Sequence, residues 1–167
     1  SKDKLGYYQK EIGLLLQNPR DNVIWNLTTY DNILLPMAQT SKFVSSEDRE
    51  ERISWLLKQF NLIEKAHRRP KVLSGGELQR LGLMVCLAND PELILLDEPT
   101  SQLDTTNAMS IMSYLRHLCT KQGKTVLMVT HDLRIVRKTD HCFVMKEGTL
   151  QELPINYLPT GVGLTYA

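Results

Sequence analysis

Leu93-Ile94-Leu95-Leu96-Asp97-Glu98-Pro99-Thr100-Ser101-Gln102-Leu103-Asp104 is the stretch whose reading decides the fold. Four consecutive apolar residues after Pro91 predict a parallel strand buried on both faces. Asp97 and Glu98 then stand at the C-terminal edge of a parallel sheet, where open α/β sheets bind ligands. Read alone, Asp-Glu-Pro is also an ordinary strand end followed by a turn. The apolar run before it and Thr100 to Asp104 after it favour chemistry.

Upstream lies Leu73-Ser74-Gly75-Gly76-Glu77-Leu78-Gln79-Arg80, the start of a helix that runs to Ala88 and stops at Asn89-Asp90-Pro91. Its apolar positions Leu78, Leu81 and Val85 predict one buried face. Ser74 and Glu77 have capping-box spacing, which explains them by helix initiation alone. Two glycines at a helix start also expose bare N–H groups at the positive end of the helix dipole, a ready anion site. The two readings are compatible. Further upstream, Glu11 to Leu16 reads as a strand stopped by Gln17-Asn18-Pro19. Thr28 and Asp31 form a second capping-box pair, opening a helix that Pro36 should kink or end. Ser45 to Asp48 caps a stronger helix with Ile53, Leu56, Leu57 and Phe60 at helical spacing.

Downstream, Asp104 suits the N-cap of a helix with Ala108, Ile111, Met112, Leu115 and Leu118 inward. Thr125 to Val129 reads as a second buried strand ending at Thr130-His131-Asp132. A short helix, a strand over Cys142 to Met145, a turn at Glu147-Gly148 and a last short strand follow. Strands alternating with helices give an α/β fold with a mostly parallel sheet. The helical stretch of about 28–88 reads as a subdomain inserted into core portions of about 11–27 and 89–152, with a C-terminal tail over 153–167.

Composition narrows the class. The 167 residues are 42% hydrophobic, enough for one domain with a true core, and the net charge of +1 gives no global attraction to nucleic acid. The basic cluster His67, Arg68, Arg69 and Lys71 reads as a solvated loop. Cys86, Cys119 and Cys142 lack metal-ligand spacing and suit reduced thiols. No apolar run approaches the roughly 18 residues of a membrane span, so membrane association is expected through a partner.

The two quoted segments resemble the signature loop, the Walker B strand and the D-loop of the ATP-binding cassette (ABC) ATPases, in that family's order. The resemblance spans about Tyr8 to Leu150 and implies a P-loop NTPase-like (RecA-like) sheet with an inserted helical subdomain, the N-terminal part of the core missing. It implies ATP and Mg²⁺ as ligands. Asp97 would hold Mg²⁺, usually through water, and Glu98 would orient and deprotonate the water that attacks the γ-phosphorus. Ser74, Gly75, Gly76 and Glu77 would reach the γ-phosphate held by a partner subunit, with Glu77 where glutamine is common. Gln17 matches the Q-loop glutamine, which touches Mg²⁺ or the attacking water. His131 matches the switch histidine that hydrogen-bonds the γ-phosphate, and Asp104 matches the D-loop aspartate at a dimer interface. Asn26 to Met37 is similar to the lipoprotein-release and macrolide-export branch. Met84-Val85-Cys86 departs from the Ala-Arg-Ala run common on the signature helix.

A Walker A loop reads G-x-x-x-x-G-K-[ST]. The nearest candidate, Gly123-Lys124-Thr125, has Leu118 in place of the first glycine and a strand after it, so it reads as a helix-to-strand turn. The family places Walker A ahead of Gln17, which puts it upstream of Ser1. This chain alone is therefore expected to be inactive. Without the strand leading into that loop, Leu93 to Leu96 is expected to have an unpaired edge and an uncovered face. The leading expectation is the ATPase subunit of an ABC transporter. It would work in a head-to-tail dimer with a second ABC domain, bound to membrane-spanning subunits at the cytoplasmic face of the membrane. The alternatives are a non-catalytic module lending its signature and D-loops to a partner, or a soluble ABC ATPase of DNA repair or translation. The short helical lobe, the single cassette and the small basic charge speak against the last, and no nucleic acid is expected.

Overall fold

In the computed structural model, which describes residues 11–38, 42–137 and 140–152, the apolar run becomes β2 (Leu93–Asp97). It lies between β1 (Ile12–Leu15) and β3 (Thr125–Val129) in a three-stranded parallel sheet. Leu15 pairs in register with Leu96, and Asp97 with Val129. The expected unpaired edge on Leu93 to Leu96 is therefore not found, because β1 and β3 flank it on both sides. Among the described residues the outer strands are β1 and β3.

Among the described residues the sheet has one covered and one more exposed face. Gly13, Leu15, Ile94 and Leu96 point to the covered side, with Leu15 and Ile94 fully buried. Leu14, Leu95 and Leu127 share the other side in register, and Leu14 and Leu127 are 57% and 61% exposed. Val129 is 64% exposed. The expectation that both later strands are buried on both faces thus holds for one face only, since the described helices pack on the other. Alternation along β2, with Ile94 and Leu96 buried and Leu93 and Leu95 half-buried, follows from the same asymmetry.

Among the described residues there are four α-helices. The first, α1 (Thr29–Ala38), starts where Thr28 Oγ1 accepts from Asp31 N at 3.1 Å, and Pro36 sits inside it without ending it. The next, α2 (Ser46–Gln59), opens on a complete capping box between Ser45 and Asp48. The third, α3 (Gly75–Leu87), buries Leu78, Gln79, Leu81, Gly82, Leu83, Met84, Cys86 and Leu87. It is enclosed on most sides, where the sequence pattern suggests a single face. Its neighbours explain the difference: α3 packs on α1, on β1 and on the 3₁₀ turn Pro19–Asn22. Each large apolar side chain so enclosed contributes about 1.5–3 kcal/mol. Last, α4 (Thr105–Gln122) buries Ala108, Ile111, Met112, Tyr114, Leu115 and Leu118.

Gly123 ends α4 in the left-handed conformation (φ 70°), as a C-cap glycine does. Lys124 turns its ammonium to Glu92 Oε1 (2.7 Å) and Asp90 Oδ2 (3.2 Å). The Gly123-Lys124-Thr125 sequence is thus a helix-to-strand turn, as its context predicts.

The described residues fall into two units, divided between Val129 and Thr130. The second contains a 3₁₀ turn over Leu133–Ile135 and a hairpin of β4 (Phe143–Lys146) and β5 (Thr149–Glu152). Glu147 (φ 49°) and Gly148 (φ 77°) form its two-residue loop, and positive φ at both positions matches the twist of a tight hairpin.

Candidate functional site

Register fixes where the chemistry gathers. Because Leu15 pairs with Leu96, Gln17 and Glu98 each lie two residues further along, at the same C-terminal edge of the sheet. Asp97 closes β2 and is half-buried, whereas Glu98 is only 8% exposed. Glu98 adopts φ 48°, a left-handed conformation that costs a glutamate about 1–2 kcal/mol. Three contacts of its backbone hold it there. Its N–H donates to Val129 O (2.9 Å), and its carbonyl accepts from Ser101 N (3.3 Å) and Gln79 Nε2 (3.4 Å). Strain of this kind persists only where neighbours over-determine it.

The signature segment faces the same turn. Ser74 is the N-cap of α3: its Oγ accepts from Glu77 N (3.3 Å), and Glu77 Oε2 accepts from Ser74 N (2.8 Å). The Ser74 N–H holds the Glu77 carboxyl below its ordinary pKa of 4.5, against a smaller opposing effect of burial. Leu78 N donates to Ser74 O (2.9 Å). Within the first turn, the N–H groups of Gly75 and Gly76 have no intrahelical acceptor by construction. Both residues lie against the turn that follows β2. A Cβ at Gly75 would stand 3.1 Å from Gln102 Oε1, and one at Gly76 would stand 3.0 Å from Gln102 O. Glycine lets these two backbones approach and leaves two amides bare, which an anionic oxygen can use.

Gln17 is exposed at the head of a loop that two asparagines shape. Asn22 Oδ1 accepts from Leu16 N, and its Nδ2 donates to Leu16 O, both at 2.8 Å. The buried Asn32 accepts from Ile24 N (2.6 Å) and donates to Thr28 O (2.8 Å). A cleft of about 350 Å³ opens beside this loop, lined among others by Arg20, Trp25, Lys71, Gly75 and Gln102. Asp104 caps α4 by accepting from Asn107 N (2.9 Å), and that bond holds its carboxyl below the ordinary range. His131 belongs to the second unit and is exposed. Its neighbour Asp132 accepts from Arg134 through backbone and guanidinium, and the guanidinium above all holds the Asp132 carboxyl low.

Of the sequence-predicted residues, Gln17, Asp97 and Glu98 stand at one edge of the sheet by register, and Gly75 and Gly76 lie against the turn that follows β2, with Ser74 and Glu77 capping the same helix. Asp104 follows seven residues after β2, at the start of α4. Sequence reasoning missed Gln79, Gln102, Asn22 and Asn32. Gln79 had a signal: it shares a helical stripe with Gly82, Leu83 and Cys86, so it is a polar residue on an apolar face. Mg²⁺ takes one or two carboxylates and completes its shell with water and phosphate oxygens, and Asp97 with Glu98 beside it fits that demand. Among the described residues no cluster of three or more acidic, histidine or cysteine side chains could cage a metal alone.

Comparison with known proteins identifies the family. A family model described as ABC transporter matches residues 1–101. Energy-coupling factor transporter ATP-binding protein EcfA1 of Staphylococcus aureus is 32% identical over 148 residues, covering 89% of this chain and 54% of that protein. ABC transporter H family member 2 of Dictyostelium discoideum is 36% identical over 144 residues, covering 86% of this chain and 28% of that protein. Among solved structures, the dimeric post-hydrolysis state of the ATP-binding cassette MJ0796, bound to ADP and Pi, superposes with a TM-score of 0.83. It is 33% identical over 93% of this chain and 67% of its own. The cbiO1 protein of Clostridium perfringens, part of the ABC transporter complex cbiONQ, gives 0.73 at 28% identity, over 90% of this chain and 59% of its own. The chain spans about half the length of the EcfA1 relative. With the P-loop NTPase fold of these cassettes and a family match over more than half its residues, the chain belongs to the ABC transporter family.

Proposed function

We propose that this chain is part of the ATP-binding and ATP-hydrolysing subunit of an ABC transporter, acting at the cytoplasmic face of a membrane through membrane-spanning partners. The observation that carries the reading is Glu98: a buried carboxylate, locked in a strained backbone conformation, directly after Asp97 at the edge of the central strand. Glu98 takes a proton from the water whose oxygen attacks the γ-phosphorus, while the bond from that phosphorus to the β-phosphate oxygen breaks. Asp97 would hold Mg²⁺, which when bound would neutralise charge at the phosphates. Gln17 orients the water, and His131 donates a hydrogen bond to the γ-phosphate. Ser74 and the amides of Gly75 and Gly76, with Asp104 at the same interface, serve the nucleotide of a second ABC domain packed head to tail. A dimeric relative with bound ADP and Pi supports this arrangement.

The 167 residues contain no G-x-x-x-x-G-K-[ST] loop. Hydrolysis by this chain therefore requires such a loop from elsewhere in its protein or from a partner, and the isolated chain is expected to be inactive. That same feature favours a second reading, in which the chain is a non-catalytic module lending its signature and D-loops. The Asn26–Met37 run favours the lipoprotein-release and macrolide-export branch, whereas the EcfA1 relative is named for energy coupling. Steady-state hydrolysis by the native-length protein tests the proposal. Mg²⁺-dependent phosphate release that Glu98→Gln abolishes is the expected result. Full activity in that variant would remove Glu98 as the base, and no activity in the native-length protein would leave the lending module.

A further inference from the structure

Gln79 lies within the signature-like segment, is fully buried one turn into α3, and has no role in the proposed mechanism. Its Nε2 lies 3.4 Å from the carbonyl oxygen of Glu98, and its Oε1 has no hydrogen-bond partner. The amide orientation is dictated by this neighbour, since the flipped amide would set two acceptors against each other. Burying an amide with its carbonyl unsatisfied is unfavourable, and a methionine of similar volume would fill the space without that cost. Packing therefore gives no reason for an amide here.

The contact it makes does. The Glu98 carbonyl also accepts from Ser101 N, and Glu98 N is tied to Val129 O. Without Gln79, the Glu98 carbonyl loses the side-chain donor that reaches it from α3 and keeps the bond from Ser101 N. The peptide plane that follows Glu98 is then held less firmly against rotation toward ordinary backbone geometry, which would carry the carboxylate with it. We propose that Gln79 is a positioning residue: it holds the backbone of Glu98 in the left-handed conformation that aims the carboxylate, and so ties the signature helix to the base of its own chain. The proposal rests on the reading of Glu98 as the base. It gives α3 two attachments to the turn after β2, one at Gln79 and the other where Gly75 and Gly76 abut Gln102.

The test compares Gln79→Met with wild type in the native-length protein under saturating Mg²⁺ and ATP. A fall in kcat of about tenfold with KM for ATP unchanged is expected, because a small misplacement of a catalytic group has effects of that order. In a Glu98→Gln background, the same substitution should leave the residual single-turnover rate unaltered, since there is no base left to position. Gln79→Asn, which keeps the amide but shortens its reach, should lose kcat as Met does. If neither variant folds, slow solvent exchange of the Gln79 side-chain amide protons in wild type is required. Fast exchange overturns the proposal. Unchanged kcat per folded molecule, or a rise in KM alone, also overturns the positioning role while leaving Glu98 as base. Full activity of Glu98→Gln by itself overturns instead the reading on which the proposal stands.

Discussion

Gly13→Ala places a methyl group where the structure has no room for it. Gly13 lies in the middle of β1, in register with Ile94, and faces the last turn of α3. An added Cβ would stand 2.5 Å from the carbonyl oxygen of Cys86, 2.8 Å from Pro91 Cγ and 3.0 Å from Cys86 Sγ. The closest of these is about 0.9 Å short of ordinary contact, and both it and the proline ring are stiff. Only a shift of β1 against α3 can relieve the overlap. Overpacking of this kind costs about 1–3 kcal/mol, and stiff obstacles on two sides argue for the upper end. Replacing glycine lowers the entropy of the unfolded chain and returns about 0.4–1 kcal/mol. The net loss is about 2 kcal/mol, or a drop in Tm of about 4–8 °C for a protein of this size. Thermal unfolding followed by circular dichroism reads it. Gly123→Ala is the control for backbone strain alone, because φ there is 70° and a Cβ would meet nothing within 4 Å. An unchanged or raised Tm for Gly13→Ala would refute the packing of the Gln17-bearing strand on the signature helix.

Two further outcomes follow from charge. The depressed pKa of Glu77 means that its capping bond stabilises the fold above the ordinary value of 4.5 and is lost as pH falls through the lower folded value. Wild type should therefore exceed Glu77→Gln in Tm at pH 7, with the gap closing toward pH 3; a gap that widens in acid contradicts the capping geometry. For Lys124, burial opposes the charge, but bonds to Glu92 and Asp90 outweigh it and raise the pKa above 10.5. Its contribution is complete below 10.5 and disappears as pH rises through the folded value, so Lys124→Met should cost about 1–2 kcal/mol in urea unfolding at pH 7 and progressively less in strong alkali.

Local signals carried far in this chain. The β2 run, the capping pairs Ser74/Glu77 and Ser45/Asp48, and the glycine at 123 are each decided by neighbours a few residues away, and each reads directly from the sequence. What was not legible depends on contacts across the fold. Strand order placed β3, not β2, on the outside of the described sheet, and nothing within Leu93 to Leu96 encodes its two neighbours. The more exposed face of the sheet likewise follows from where the helices pack. The bonds that Asn22 makes to Leu16 and that Asn32 makes to Ile24 and Thr28 are not legible in the sequence. Gln79 lay among apolar residues, but its target, the carbonyl of Glu98, is nineteen residues away.

The claim that each hydrolytic site is built from two chains is tested most directly by mixing two inactive variants. Glu98→Gln removes the proposed base, and Gly76→Asp sets a carboxylate against Gln102 O in the signature loop. In a head-to-tail dimer of the native-length protein, one of each leaves one site with an intact Glu98 facing an intact Ser74-Gly75-Gly76. Phosphate release that is absent from either variant alone and returns on mixing is the predicted result. A mixture as inactive as its parts would contradict it.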